Sequence, residues 1–270
     1  MRRTLLVCLA VLAVLLGSVA PARAVTDGYP DDGTYNNVGL VVFSDAAGKP
    51  THRCSGTMLS ATLFLTAGHC TYGAAGARVY FDQTIDRVAT GYPFSGGITG
   101  RPVTMAGFDD FATFPNTSDL GYVVLHAPAP VSTYATLAGI GTLDAMATKR
   151  GQQETRFTVS GYGLQQVRPV TEANLTRLVA EVRLINLSNS LTDGFNLHHT
   201  NAPGTGGGTC FGDSGGPVFL AGTQAVVGVT SFGLSQNCGG NGFAYRVDTQ
   251  AAQDFIATGY AAPARGRGRG

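Results

Sequence analysis

The sequence predicts an all-β protein, a sandwich or a barrel, led by an export signal and closed by one helix. Three observations carry this. Short β-like runs recur along the chain, bounded by Gly, Pro, Asn or Asp. Glycine is abundant, 38 of 270 residues, which suits turns and bulges, and it shows no collagen-like period. Charged residues make up only 13% of the chain, which argues against a coiled coil or a long-helix bundle.

The elements follow in order. Arg2 and Arg3, a nearly unbroken apolar run over residues 4–20 and the small-residue site Ala22-Arg23-Ala24 form a secretory signal peptide, residues 1–24. The apolar run is short for a membrane span. The mature chain therefore starts at Val25, is exported, and has no membrane association after cleavage. Strand-like runs cover residues 38–43, 56–65, 78–81 and 121–125 in the first half. They cover 156–162, 177–185, 217–219, 225–231 and 243–247 in the second. Leu178, Ala180, Val182 and Leu184 alternate as a half-buried strand requires. Ala127-Pro128-Ala129-Pro130 breaks regular structure, and few strand signals follow until Gly151. This divides the mature chain into residues 25–137 and 138–262. Asp248 is placed to cap a final helix whose apolar face is Ala251, Phe255 and Ile256. Residues 263–270 form a disordered Arg/Gly tail.

Loss of Arg2, Arg3 and Arg23 leaves 15 basic against 17 acidic residues, a net charge of −2. That balance gives no support for nucleic acid as a partner. Cys8 leaves with the signal, and Cys54, Cys70, Cys210 and Cys238 remain. An even count in an exported chain suggests two disulfides, with three pairings open. Short loops favour the sequential one, and each such loop would contribute roughly 3 kcal/mol in the chain-entropy model. The spacings hold no C-x-x-C pair, which argues against zinc.

Three segments carry chemistry. Cys210-Phe211-Gly212-Asp213-Ser214-Gly215-Gly216-Pro217 sets a serine among small residues, so its hydroxyl is exposed and the backbone can turn sharply. The amides of Gly212 and Ser214 can then converge on one point as an oxyanion hole. Leu65-Thr66-Ala67-Gly68-His69-Cys70 offers a base of suitable pKa, held beside a half-cystine. Asp119 precedes the apolar run Leu120-Gly121-Tyr122-Val123-Val124-Leu125. A partly buried acid needs a partner, and a histidine N–H is a fitting one. Asp109 and Asp110 are rivals in a loop-like stretch. His198-His199 would point to opposite faces of a strand, which disfavours a shared metal.

Together these segments resemble the trypsin/chymotrypsin-like serine peptidases, including the chain order His, Asp, Ser. The resemblance implies two packed six-stranded antiparallel β-barrels with a short C-terminal helix. His69 and Asp119 would come from the first barrel, residues 25–137, and Ser214 from the second, residues 138–262. It implies a catalytic triad of His69, Asp119 and Ser214, with disulfides Cys54–Cys70 and Cys210–Cys238. Ser231-Phe232-Gly233 resembles the segment that binds the substrate backbone. Val25-Thr26-Asp27-Gly28 resembles the family's mature start, so the Val25 amine would pair with Asp213. Gly208, six residues before Ser214, takes the place of the pocket base, and Gly233 and Gly242 take the place of its walls. Glycine supplies no charge there, so the resemblance implies an uncharged or apolar preference. No cofactor or metal is implied. Polypeptide substrates and protein inhibitors are the expected partners, of a secreted monomer. The competing readings are an esterase and a non-catalytic binding protein on the same fold.

Overall fold

The structure is a computed structural model that describes residues 25–146, 154–167, 170–201 and 206–261. The segments expected to form a signal peptide, residues 1–24, and a C-terminal tail, residues 263–270, thus lie outside the described residues. Six strands close the first barrel: β1 (Val38–Ser44), β2 (Pro50–Met58), β3 (Leu63–Thr66), β4 (Gly76–Tyr80), β5 (Ile98–Thr104) and β6 (Gly121–Leu125). Their order is β1-β2-β3-β6-β5-β4, and β1 pairs back onto β4. The second barrel contains β8 (Arg156–Gly161), β9 (Leu178–Asn186), β10 (Asn196–Thr200), β11 (Pro217–Leu220), β12 (Ala225–Gly233) and β13 (Asn241–Arg246). They run β11-β8-β9-β10-β13-β12, and the β11–β12 pairing closes the ring. All pairings within both barrels are antiparallel. No helix among the described residues is long and apolar enough to cross a membrane.

Strand alternation sorts side chains into three cores. Val41 and Phe43 of β1 point into the first barrel with Phe64, Val79, Val123 and Leu125. Leu40 and Val42 point the other way, into a layer shared with Phe219, Val229 and Tyr245 of the second half. Leu178, Ala180, Val182 and Leu184 all enter the core of the second barrel, as their alternation predicts. The shared layer holds the two barrels together.

Several elements differ from the sequence reading. The run at 56–65 is two antiparallel strands, β2 and β3, with Thr57 opposite Leu65. A continuous apolar pattern hid the turn between them. Strands β5 and β10 were not legible, because glycine and paired histidines interrupt their patterns. β7 (Thr136–Leu137) belongs by position to the first half, yet it pairs in parallel with β12. Thr26 and Tyr29 likewise bridge to Gly208 and Val179 of the second half. The C-terminal helix is α2 (Gln250–Ala261), and its cap is Thr249, whose Oγ1 accepts the Ala252 amide at 3.3 Å. Asp248 is taken by Arg246 and by the Leu143 amide instead. The helix buries Ala252 and Ile256, while Ala251 faces solvent.

A buried guanidinium spans the halves. Arg177 Nε donates to Asp31 Oδ2 at 2.9 Å, and its other nitrogens donate to the Phe81 carbonyl, the Tyr162 hydroxyl and Gln83 Oε1. Removing one member of a buried pair leaves the other charge uncompensated. Arg177→Leu is therefore expected to destabilise the fold by about 3–5 kcal/mol in urea unfolding. A change under about 1 kcal/mol, the size of an exposed pair, would contradict this role.

Candidate active site

The short helix α1 (Gly68–Thr71) begins directly after β3 and carries His69. Asp119 sits just before β6, which pairs with β3, so the two strands bring both residues to one end of the first barrel. The Asp119 carboxylate is fully buried. His69 Nδ1 lies 2.9 Å from Oδ2 and 3.1 Å from Oδ1, and the His69 amide donates to Oδ1 at 2.7 Å. With its proton on Nδ1, the ring leaves Nε2 as an acceptor. Burial disfavours the His69 imidazolium, but the charge and hydrogen bond of Asp119 outweigh it, so the pKa is raised. Ser231, from β12, donates its hydroxyl to Asp119 Oδ2. Phe111 packs against the ring of His69, with centroids 5.8 Å apart.

The loop around Ser214 is built from the second barrel and fastened to the first. The Ser55 amide of β2 donates to the Ser214 carbonyl at 2.9 Å, and Ser55 Oγ donates to the Gly212 carbonyl at 2.8 Å. Gly215 has φ +76, and a Cβ there would lie 2.0 Å from Thr66 Oγ1 and 2.7 Å from the Ala67 nitrogen. Only glycine permits this approach to the segment that leads into His69. Gly212 has φ +97, a conformation that glycine tolerates. The Gly212 and Ser214 amides donate to no protein acceptor among the described residues, which leaves both available to a ligand. Ser214 and His69 are not hydrogen-bonded to each other here. His69 Nε2 has Cys70 Sγ at 3.6 Å.

Cys54–Cys70 and Cys210–Cys238 form the two disulfides, which flank His69 and Ser214. The cluster Cys54, His69 and Cys70 could be mistaken for a metal site. Its sulfurs are bonded to each other, so they are not thiolate ligands.

A cavity of about 280 Å³ opens beside Ser214. Its walls include Phe211, Ser231, Phe232, Gly233 and Leu234, with Thr209, Thr230 and Asn241 as polar groups. Gly208 and Gly242 are not among its lining residues. A Cβ on Gly208 would strike Asn201 Oδ1 at 1.9 Å, and one on Gly242 would strike the ring of His199 at 2.3 Å. Gly208 thus makes room for Asn201, which itself lines the cavity, and Gly242 makes room for His199.

Asp213 is buried, and burial pushes its carboxyl up to about 7, against the pull of the Cys210 and Gly163 amides and the Arg53 charge. The two amides donate to it at 2.9 and 2.8 Å. Val25 lies in the core of the second barrel, near Gly207 and Gly208, and makes no hydrogen bond to Asp213.

The expected residues therefore fall into two groups. His69, Asp119 and Ser231 are joined by hydrogen bonds, and the Ser214 loop is packed against the His69 segment. Gly208, Gly242 and Val25 are not among the residues that line the cavity. The sequence reading gave Ser231 a substrate-binding part only. Nothing in its local pattern signals the bond to Asp119, which spans 112 residues.

The fold and this site define a double-barrel protein of the serine-protease type. The family model described as Trypsin matches residues 32–256, and the chain belongs to that family. Brachyurin of Leptuca pugilator is 28% identical over 68% of this chain and 77% of its own. Trypsin Blo t 3 of Blomia tropicalis is 26% identical over 77% of each. The solved structure titled HL collagenase aligns with TM-score 0.66 at 18% identity, over 88% of this chain and 99% of that one. Human heparin binding protein aligns with TM-score 0.63 at 19% identity, over 90% and 100%. At these identities the two structures bear on the fold alone.

His198 and His199 point to opposite faces of β10, as the sequence predicts. His198 stacks on Phe243 and faces Asn241 Oδ1 at 2.7 Å. His199 is fully buried, with Nε2 unpartnered, and burial lowers its pKa to about 4. The unfolded chain would protonate it near 6.5. Its contribution is thus complete above pH 6.5 and is lost as pH falls toward 4, by on the order of 3 kcal/mol. Between pH 7 and pH 4, urea unfolding of the wild type should lose that much more stability than His199→Leu. Parallel losses would remove His199 from the acid response.

Proposed function

We propose that this chain is a secreted serine endopeptidase in which Ser214 attacks the peptide carbonyl, His69 takes its proton and Asp119 holds the ring. The observation that carries this reading is the buried Asp119 carboxylate on His69 Nδ1, which fixes the tautomer with a basic Nε2. Family membership and the free Gly212 and Ser214 amides support it. The attacked carbonyl oxygen would gather charge between these amides, each worth roughly 3 kcal/mol of barrier. His69 then passes the proton to the leaving amine, and water repeats the sequence on the acyl-enzyme. Release of the signal peptide at Ala24 would expose the Val25 amine. Asp213, a buried acid satisfied only by backbone amides, has the most to gain from such a cation.

Serine-directed phosphonates should label the secreted protein at Ser214, and Ser214→Ala should abolish labelling. The labelled protein should begin Val-Thr-Asp-Gly. Labelling at another residue overturns the nucleophile, and a different start with full activity overturns the Val25 assignment. Absence of labelling would select a second reading, a non-catalytic binding protein on this fold.

Specificity follows from the cavity beside Ser214. None of its lining residues carries a charge, and its walls are partly aromatic. A peptide panel varied before the scissile bond should favour uncharged, apolar or aromatic residues over Lys, Arg, Asp and Glu. A preference for Lys or Arg would overturn this pocket assignment.

A further inference from the structure

The buried arginines of this chain are matched to carboxylates, whereas a half-buried one beside the candidate active site is not. Arg177 pairs with Asp31, and Arg246 pairs with Asp248 and Asp144. Arg53, half-buried in β2, has no such partner. Among the described residues its one hydrogen bond runs from a terminal nitrogen to the Tyr162 carbonyl at 2.8 Å. All seventeen acidic side chains lie within the described residues, and none forms an ion pair with it, although its charge acts on the buried Asp213 carboxyl. The second terminal nitrogen and the guanidinium carbon stand 3.5 Å from the position a Cβ on Gly212 would take. A half-buried guanidinium with N–H donors to spare is a ready site for a carboxylate, which such a fork can bind in two parallel hydrogen bonds.

Its position decides which carboxylate. The cavity on one side of Ser214 is lined by Phe211 and by residues 230 to 236. On the reading above, it takes the side chain before the scissile bond. Arg53 is not on that cavity. It stands on the other flank, where β2 is tied to the Ser214 loop through Ser55 and leads into the Cys54–Cys70 disulfide. A peptide bound across Ser214 must leave over that flank with the residues that follow the scissile bond. We propose that Arg53 selects an acidic side chain within the first two residues after the scissile bond. This rests on the serine-peptidase reading and adds to it a second, charged determinant opposite the uncharged pocket.

Acyl transfer tests it without confusing the two sides. N-acetyl-tyrosine ethyl ester would form the acyl-enzyme, which then partitions between water and an added dipeptide amide. The amine nitrogen takes the acyl group, and the Ser214 oxygen regains a proton. Asp-Ala amide is compared with Asn-Ala amide, and Ala-Asp amide with Ala-Asn amide. The wild type should transfer to the acidic member of at least one pair roughly tenfold better. Arg53→Gln should bring that ratio near one, and Arg53→Glu should favour Lys-Ala or Ala-Lys amide instead. Each ratio is internal to one preparation, so partial misfolding of a variant does not alter it. Equal ratios in the wild type and both variants, with acyl-enzyme formed, overturn the role of Arg53 alone. Failure of the wild type to form an acyl-enzyme overturns the reading on which it rests.

Discussion

A carboxylate with no access to water organises this molecule. Asp119 is completely buried. An isolated charge there would be strongly unfavourable, so every oxygen must find a donor. The donors come from both barrels: the His69 amide and ring from the first, and the Ser231 hydroxyl from the second. Satisfying one acid thus fixes where α1 starts, how the His69 ring turns and how β12 lies against β6. The backbone yields to the same demand at Ser118, which has φ +46. Ser55 acts in parallel. Its amide and hydroxyl bind the loop around Ser214 to β2, so that loop cannot shift without breaking bonds to the other barrel.

A chain with few charges makes each buried one conspicuous. Arg177 and Arg246 are neutralised within the fold and serve its architecture. Two buried or half-buried charges are not. Among the described residues, Asp213 accepts only backbone amides and Arg53 donates only to a carbonyl, although the Arg53 charge acts on Asp213. Both flank Gly212, so the charges without an ion pair gather around one loop. Stability alone would favour pairing or replacing such groups. Their retention beside the Ser214 loop fits a site that completes its charges with groups from outside the folded core.

Part of this was legible in the linear chain because it depends on local chemistry. The glycines around Ser214, the half-cystines and the acid before an apolar run are short-range signatures, and their joint order is specific. Alternation from Leu178 to Leu184 foretold the inward face of β9. Other features were hidden for stated reasons. The apolar run at 56–65 concealed a turn, because two buried strands joined tightly read as one. Asp248 resembled a helix cap, yet Arg246 claims it, and Thr249 takes the cap. Gly208 and Gly242 read as parts of the pocket. Neither lines the cavity; their missing side chains leave space for Asn201, which does, and for His199.

By itself, the sequence determined the all-β class and the family, and it supplied the candidate residues for acyl transfer. These follow from residue type and from periods of two to eight residues. Only the tertiary structure decided which of them meet. The bond from Ser231 to Asp119 and the packing of Gly215 on Thr66 join positions far apart in the chain. So does the stand of Arg53 beside Gly212, and no local pattern encodes any of these contacts. They arise because two barrels share one apolar layer, and that layer sets the distance between their loops.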